Sequence, residues 1–303
     1  MNNPNFNIAA VERDTGLSKD VLRMWERRYG FPQPDRDSNG ERSYPADQVE
    51  RLRLIKRLMD AGHRPGKLIA TPVEELSGFV AQRAKAPSSD NKADSAELGE
   101  LLALIKQHDG NGFQQAMLQR LARQGLQRFV QDTVAPLTRQ VGEAWEDGSV
   151  EVFEEHLFTE LTKRLLRQAI AGLPGGRRSP RMLLTSVPDE AHLLGLLMAE
   201  ALFALEGAEC IPLGTQMPLL EIGRAASAHR ANIVALSFSA AFPQRQIPGL
   251  LLQLRRVLPP EVELWAGGRG VLRLAPIEGV QLLGTFEHAL AALSGWRPAQ
   301  VPA

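Results

Sequence analysis

The chain has 303 residues, with 35 basic and 35 acidic side chains, so it is formally neutral at pH 7 and no global field draws it to nucleic acid. Its length leaves room for two or three domains, and an apolar fraction of 44% is that of an ordinary globular protein. The single cysteine, Cys210, excludes an intrachain disulfide and a cysteine-based zinc site; no apolar run reaches about 18 residues and the amino terminus lacks a signal-peptide form, so a soluble cytoplasmic protein without a membrane span is expected.

Ile8, Ala9, Val11 and Leu17 suggest a short helix with one buried face. Thr15-Gly16-Leu17-Ser18 reads as a turn, and Ser18 as the N-cap of a helix from about Lys19 to Tyr29. Leu22, Trp25 and Tyr29 sit three and four apart and share one face, while Lys19, Arg23, Arg27 and Arg28 project largely elsewhere. Helix, tight turn, basic helix is the pattern whose second helix can lie in a DNA major groove. Gly30-Phe31-Pro32-Gln33-Pro34 ends that helix. Asp37-Ser38-Asn39-Gly40 reads as a hairpin turn flanked by Arg36, Arg42 and Tyr44, a wing whose arginines touch phosphate or reach the minor groove. A third, strongly charged helix is expected over Asp47 to Ala61. A small helical domain with solvated arginines is the plainer alternative.

The run from Gly16 through Val21-Leu22-Arg23-Met24-Trp25-Glu26-Arg27-Arg28-Tyr29-Gly30 resembles the recognition helix of the MerR family, and Arg36, Gly40, Arg42 and Tyr44 resemble that family's wing. The likeness covers residues 7–70. It implies a double-stranded DNA operator as partner and self-association, as a dimer or tetramer. Ser18, Lys19, Arg23, Arg27, Arg28, Tyr29, Arg36, Arg42 and Tyr44 are the residues it places at DNA. No long heptad run follows the wing, so dimerisation must come from elsewhere.

From Val80 to Ser95 the composition is that of a flexible linker. From Ala96 the apolar period returns to 3.6. Leu98, Leu101, Leu102 and Ile105 form one stripe, Asn111-Gly112 interrupts it, and Phe113, Met117, Leu118 and Leu121 form the next. A third helix is expected from Leu126 to Trp145, kinked at Pro136. Asp147-Gly148-Ser149 is a turn, and a fourth helix starts near Val152, carrying Phe153, Leu157, Leu161, Leu165 and Ile170. Four amphipathic helices with short connections make a bundle.

Beyond Leu173-Pro174-Gly175-Gly176, strand candidates lie at 181–187, 208–213, 231–237, 261–266 and 280–283, with helical patterns between them. Strict alternation implies a parallel sheet covered on both faces, here a Rossmann-like α/β domain of flavodoxin-like order. His192 follows the first strand, Ser237 and Ser239 end the third, and Gly267-Gly268 follow the fourth. All sit at carboxyl ends of strands, where such sheets bind their ligands. A generic nucleotide site shares this geometry, but it does not call for a histidine in the first loop.

Trp145, nine residues, then Glu155-His156 resembles the signature of adenosylcobalamin-dependent photoreceptor repressors of carotenoid genes. Glu190-(x)-His192-(x)(x)-Gly195, Ser237-(x)-Ser239 and Gly267-Gly268 resemble the cobalamin-binding domain shared with methionine synthase and the mutases, with Ser239 where leucine is usual. The resemblance implies adenosylcobalamin held base-off, His192 as lower cobalt ligand, and a bundle that caps the upper face with Trp145, Glu155 and His156. In the photoreceptor group a histidine follows the signature tryptophan and takes the upper cobalt position after photolysis; here that residue is Glu146.

The expectation is therefore a multidomain, non-enzymatic transcriptional regulator. Residues 1–75 form a winged helix-turn-helix, 76–95 a flexible linker, 96–173 a four-helix bundle capping the cofactor and 178–296 the cobalamin-binding domain. Light would alter oligomerisation and release DNA. The alternative is a cobalamin-independent repressor that uses its carboxyl half to oligomerise. A cobalamin-dependent methyltransferase or mutase subunit ranks below both, since no substrate barrel is present.

Overall fold

The computed structural model describes residues 5–15, 17–37, 40–60, 65–72, 75–76, 92–173 and 178–296. By contacts the chain divides into residues 1–90 with 142–151, and residues 91–141 with 152–303.

In the first unit, β1 (Asn5–Asn7) leads into α1 (Ile8–Thr15), with Asn7 Oδ1 accepting the Ala10 N–H at 2.8 Å. Ser18 caps α2 (Lys19–Tyr29), its hydroxyl accepting from Val21 N at 3.3 Å, and Gly30 ends that helix in the left-handed region. The wing is β2 (Asp35–Arg36) against β3 (Arg42–Pro45), antiparallel, with Arg36 opposite Arg42; Ser38 and Asn39 of the expected turn lie outside the described residues. A third strand was not anticipated: β1 pairs with β3, Phe6 opposite Tyr44. Then come α3 (Ala46–Asp60) and α4 (Pro65–Ala70), the latter also unanticipated. Leu22, Trp25, Tyr44, Leu52, Ile55 and Leu68 form the core.

The expected linker lies almost wholly outside the described residues, but α5 (Lys92–Lys106) begins inside its expected span. The break between the first two bundle helices falls at His108-Asp109, earlier than the Asn111-Gly112 read from sequence. His108 takes a left-handed φ of 60°, and Asp109 caps α6 (Gly110–Arg128) by accepting from Gly112 N at 2.8 Å. Asn111 and Gly112 thus lie in a first turn. A second break stands at Gly125 (φ 74°). The kink expected at Pro136 takes the form of a π turn over Phe129–Val134 ahead of α7 (Ala135–Glu146), where Ala135 N bonds Val130 O five residues back. A proline with no N–H leaves the carbonyl four residues earlier without its partner, and a wider turn absorbs the change. Last comes α8 (Val152–Ala171). Leu118, expected inside, is 41% exposed.

The sheet has five parallel strands, β4 (Arg178–Thr185), β5 (Ala208–Gly214), β6 (Ile233–Ser237), β7 (Glu263–Gly267) and β8 (Val280–Leu283). Their order β5-β4-β6-β7-β8 is the flavodoxin-like arrangement. Helices α9 (Leu194–Leu205) and α12 (Phe286–Trp296) cover one face through Leu196, Phe203, Ala289 and Leu293. Helices α10 (Leu219–Ala228) and α11 (Ile247–Val257) cover the other through Ile222, Ala226, Leu251 and Leu254. Helix α9 is apolar nearly all round because it is buried on two sides. Leu196 and Phe203 meet the sheet, while Leu194, Leu197, Met198, Ala201 and Leu202 join the bundle core with Phe113, Phe129 and Phe158. No helix among the described residues is long and apolar enough to cross a membrane.

Candidate functional site

Strand β4 ends at Thr185, Ser186 follows, both are fully buried, and the chain then turns through Asp189 at a left-handed φ of 66°. That turn buries the Glu190 side chain, 1% exposed, and carries His192 to the surface, 64% exposed. One Glu190 oxygen accepts from His192 Nδ1 at 2.7 Å and from the His192 main-chain N–H at 3.0 Å. The other accepts from Ser239 N, beyond β6, at 2.7 Å. Burial opposes ionisation of Glu190, but the hydrogen bonds from His192 and the Ser239 N–H outweigh it and hold the carboxyl below its usual range. An ionised carboxylate only accepts, so Nδ1 carries a proton, and in the neutral ring the lone pair is then on Nε2, the tautomer a metal ligand needs.

The other residues read from sequence at this end of the sheet assemble around that pair. Gly195 lies in the first turn of α9, where a Cβ would stand 2.8 Å from Ser237 Oγ. The Ser239 hydroxyl is buried with no hydrogen-bond partner in the structure. Gly268 has φ 92°, and a Cβ there would stand 2.4 Å from the Phe238 carbonyl oxygen. The Gly267-Gly268 turn is therefore pressed on the backbone after β6, with Phe238 N bonded to Gly267 O and Gly270 N to Phe238 O. The close approach that Gly268 permits here is between two loops of the protein.

Trp145 and Glu146, both half-buried, end α7. In the second unit Glu155 and His156 occupy the first turns of α8. Glu155 accepts from the Thr159 hydroxyl at 2.7 Å and lies 3.2 Å from His156 Nδ1, whose ring is exposed. Beside them Glu154, which the sequence reading did not single out, is buried and contacts His108 Nε2 at 3.3 Å.

In the winged unit Arg23, Arg27 and Arg28 are exposed on α2. Arg23 lies near Asp20 at 3.6 Å, Arg28 stacks over Tyr29, and Lys19 lies 3.5 Å from Glu12. Arg36 donates to the Gly40 carbonyl at 2.8 Å. Three expectations change. Tyr29 is 37% exposed instead of sharing the buried face of Leu22 and Trp25. Tyr44 has no exposed surface, and burial raises its phenol pKa, so it is core and not a DNA contact. Arg42 holds Glu26 of α2 through two hydrogen bonds, 2.8 and 3.3 Å, fixing the wing to the helix. Arg42 and Tyr44 lie two apart on one strand, so both point to the face that packs on the domain.

The model for MerR HTH family regulatory proteins matches residues 6–68, and that for a B12 binding domain matches residues 98–170, the bundle. The HTH-type transcriptional repressor CarH of Myxococcus xanthus is 31% identical over 266 residues, 87% of this chain and 88% of that protein. The chain belongs to the CarH family of repressors. CarA of the same organism, also an HTH-type transcriptional repressor, is 27% identical over 97% of this chain and 98% of its own length. Over 67% of this chain, the fold matches all of the monomethylamine corrinoid protein of Methanosarcina barkeri, at a TM-score of 0.54 and 15% identity. Family membership thus joins a MerR-type DNA-binding head to a B12 binding domain on one chain.

Proposed function

We propose that the protein is a repressor whose hold on its operator is set by adenosylcobalamin and light, with His192 as the residue that would hold the cobalt. The observation that carries this reading is the buried Glu190 carboxylate bonded to His192 Nδ1, the contact that orients a metal-binding imidazole and leaves its Nε2 for the metal. The buried, unpartnered Ser239 hydroxyl also fits a ligand: a buried polar group without a partner is costly, and a polar nucleotide tail would relieve it. Gly195 lets the Ser237 hydroxyl close against the start of α9 at the same place. When bound, adenosylcobalamin supplies a cobalt–carbon bond that light can break.

The chain's own residues divide the remaining work. Glu190 orients His192. Trp145, Glu155 and His156 are the residues that would hold the adenosyl group, and Glu146 is a carboxylate where the photoreceptor group has histidine. Helix α9 begins two residues beyond His192 and carries the bundle on its outer face, so a bundle displacement bears on the ligand's loop. In the dark the bundle fixes an oligomer that holds several winged heads on one operator; linking heads raises avidity by about 10²–10⁴ without new contacts. Arg23, Arg27 and Arg28 of α2 meet the major groove and Arg36 meets phosphate. The test is gel filtration and operator binding of the full chain with adenosylcobalamin, in darkness and after green light. Corrin absorbance should travel with an oligomer that binds operator in the dark, and illumination should abolish the binding. Absence of retained corrin absorbance, or operator binding that ignores cofactor and light, overturns the reading.

A further inference from the structure

The loops after β4 and β5 meet at one buried hydroxyl. Ser186 has no exposed surface. Its Oγ–H donates to the main-chain carbonyl of Glu190, and its Oγ accepts from Gln216 N at 2.9 Å. Its own carbonyl accepts from Met217 N at 2.9 Å. One residue earlier, the Thr185 hydroxyl donates to Gly214 O at 2.9 Å. The β5–α10 loop is thus stitched to the β4–α9 loop at the point where Glu190 turns inward. It turns through two left-handed residues, Gly214 at φ 76° and Gln216 at φ 60°, of which Gln216 is strained. Positive φ at a residue other than glycine persists only where its surroundings over-determine it, and here the surroundings are Ser186. From Glu190 the connection runs on through the carboxylate to His192 and to Ser239 N.

We infer that Ser186 is a positioning residue for the cobalt ligand and that the Gly214–Met217 loop is a third wall of the cofactor site, clamped through it. This inference rests on the reading above. Glu190 reaches His192 through its side chain and Ser186 through its main chain. Both ends must be fixed for the carboxylate to set the ring. Without the Ser186 hydroxyl, the Glu190 carbonyl and the Gln216 N–H lose their shared partner. The left-handed turn at Gln216 then relaxes, and the Glu190 main chain gains freedom that its side chain passes to the imidazole.

The test compares wild type, Ser186→Ala, His192→Ala and Ile222→Val, a core change on the opposite face of the sheet, as full chains. The readouts are the visible spectrum of bound cobalamin, the affinity for cobalamin in the dark, and amide exchange of Gln216 and Met217 without cofactor. Wild type should give the spectrum of a histidine-ligated, base-off corrinoid, and His192→Ala that of a corrinoid lacking the lower ligand. Ser186→Ala should move toward the His192→Ala spectrum, bind cobalamin about tenfold or more weakly, and lose exchange protection at Gln216 and Met217 in the apo protein. Ile222→Val should lower the melting temperature yet keep the wild-type spectrum. If Ser186→Ala does not fold, Ser186→Cys, similar in size but a weak hydrogen-bonding group, carries the same expectations. A Ser186 variant with wild-type spectrum and affinity overturns the positioning role and leaves His192 ligation standing. A wild-type protein that retains no corrinoid overturns both.

Discussion

Glu190 grips His192 twice with a single oxygen, by the ring Nδ1 at 2.7 Å and by the main-chain N–H at 3.0 Å, while its other oxygen reaches across to Ser239 N. The residue is almost wholly buried, so these bonds decide both its ionisation and the stability of the loop. A carboxyl whose folded-state pKa is depressed adds stability that is present above the unfolded value and lost as pH falls through the folded one. Glu190→Gln places an amide NH₂ where a donor already points, at a cost of about 1–3 kcal/mol at pH 7. In urea titrations the gap between wild type and variant should start to close as pH drops past the ordinary value of 4.5. A gap that stays constant with pH would mean the carboxylate is not held ionised by these partners.

The winged head separates three arginines by their surroundings. Arg23 is exposed on α2, and Arg23→Ala should cost about 1–3 kcal/mol at one operator position and relax specificity there. Arg36 is exposed, and Arg36→Ala should weaken all sequences alike and flatten the salt dependence by about one unit. Arg42 is occupied by Glu26, so Arg42→Ala should flatten that slope less than Arg36→Ala and should destabilise the domain, as Glu26→Ala also does. A larger change in slope for Arg42→Ala would show that the Glu26 pair opens on DNA.

Gly268 is fixed by sterics. At φ 92°, with a Cβ 2.4 Å from the Phe238 carbonyl oxygen, alanine is strained and clashes with backbone that cannot step aside. Gly268→Ala should destabilise by more than about 1 kcal/mol, read from the urea midpoint without any cofactor. An unchanged midpoint would remove the loop-on-loop account of this glycine.

Cys210 lies where burial, with the Glu200 charge second, pushes its thiol pKa up to about 12. Almost no thiolate exists at pH 8, and the thiolate is the reactive form. Alkylation by iodoacetamide should be negligible in the native protein and rapid in urea. Fast native labelling would place the thiol in a different environment.

Much of this was legible because it is local. The Ser18 cap, the Gly30 stop and the alternation of strand and helix beyond Arg178 are patterns of adjacent residues; the cap and the stop stand where the sequence puts them, and the strands within about three residues. The loop motif around His192 names its own neighbours, since Glu190 is two residues away. What escaped depends on register or long-range approach. β1 is three residues, Asn-Phe-Asn, with no alternation to announce it. Tyr44 was read as surface because the wing's inner face is set by pairing with Phe6, which the missing strand supplies. The role of Gly268 depends on Phe238, thirty residues away, and the clamp at Ser186 on Gln216, also thirty residues off. No spacing rule brings such partners together.

The account stands or falls on one metal–nitrogen bond. Protein grown with ¹⁵N-labelled histidine can be loaded with cob(II)alamin and examined by electron paramagnetic resonance, where an axial ¹⁴N splits each cobalt line in three and an axial ¹⁵N in two. Labelling should convert the triplet to a doublet, and His192→Ala should remove the doublet. A triplet that survives labelling, coming from the vitamin's own base, or a spectrum with no nitrogen splitting would contradict His192 as the cobalt ligand.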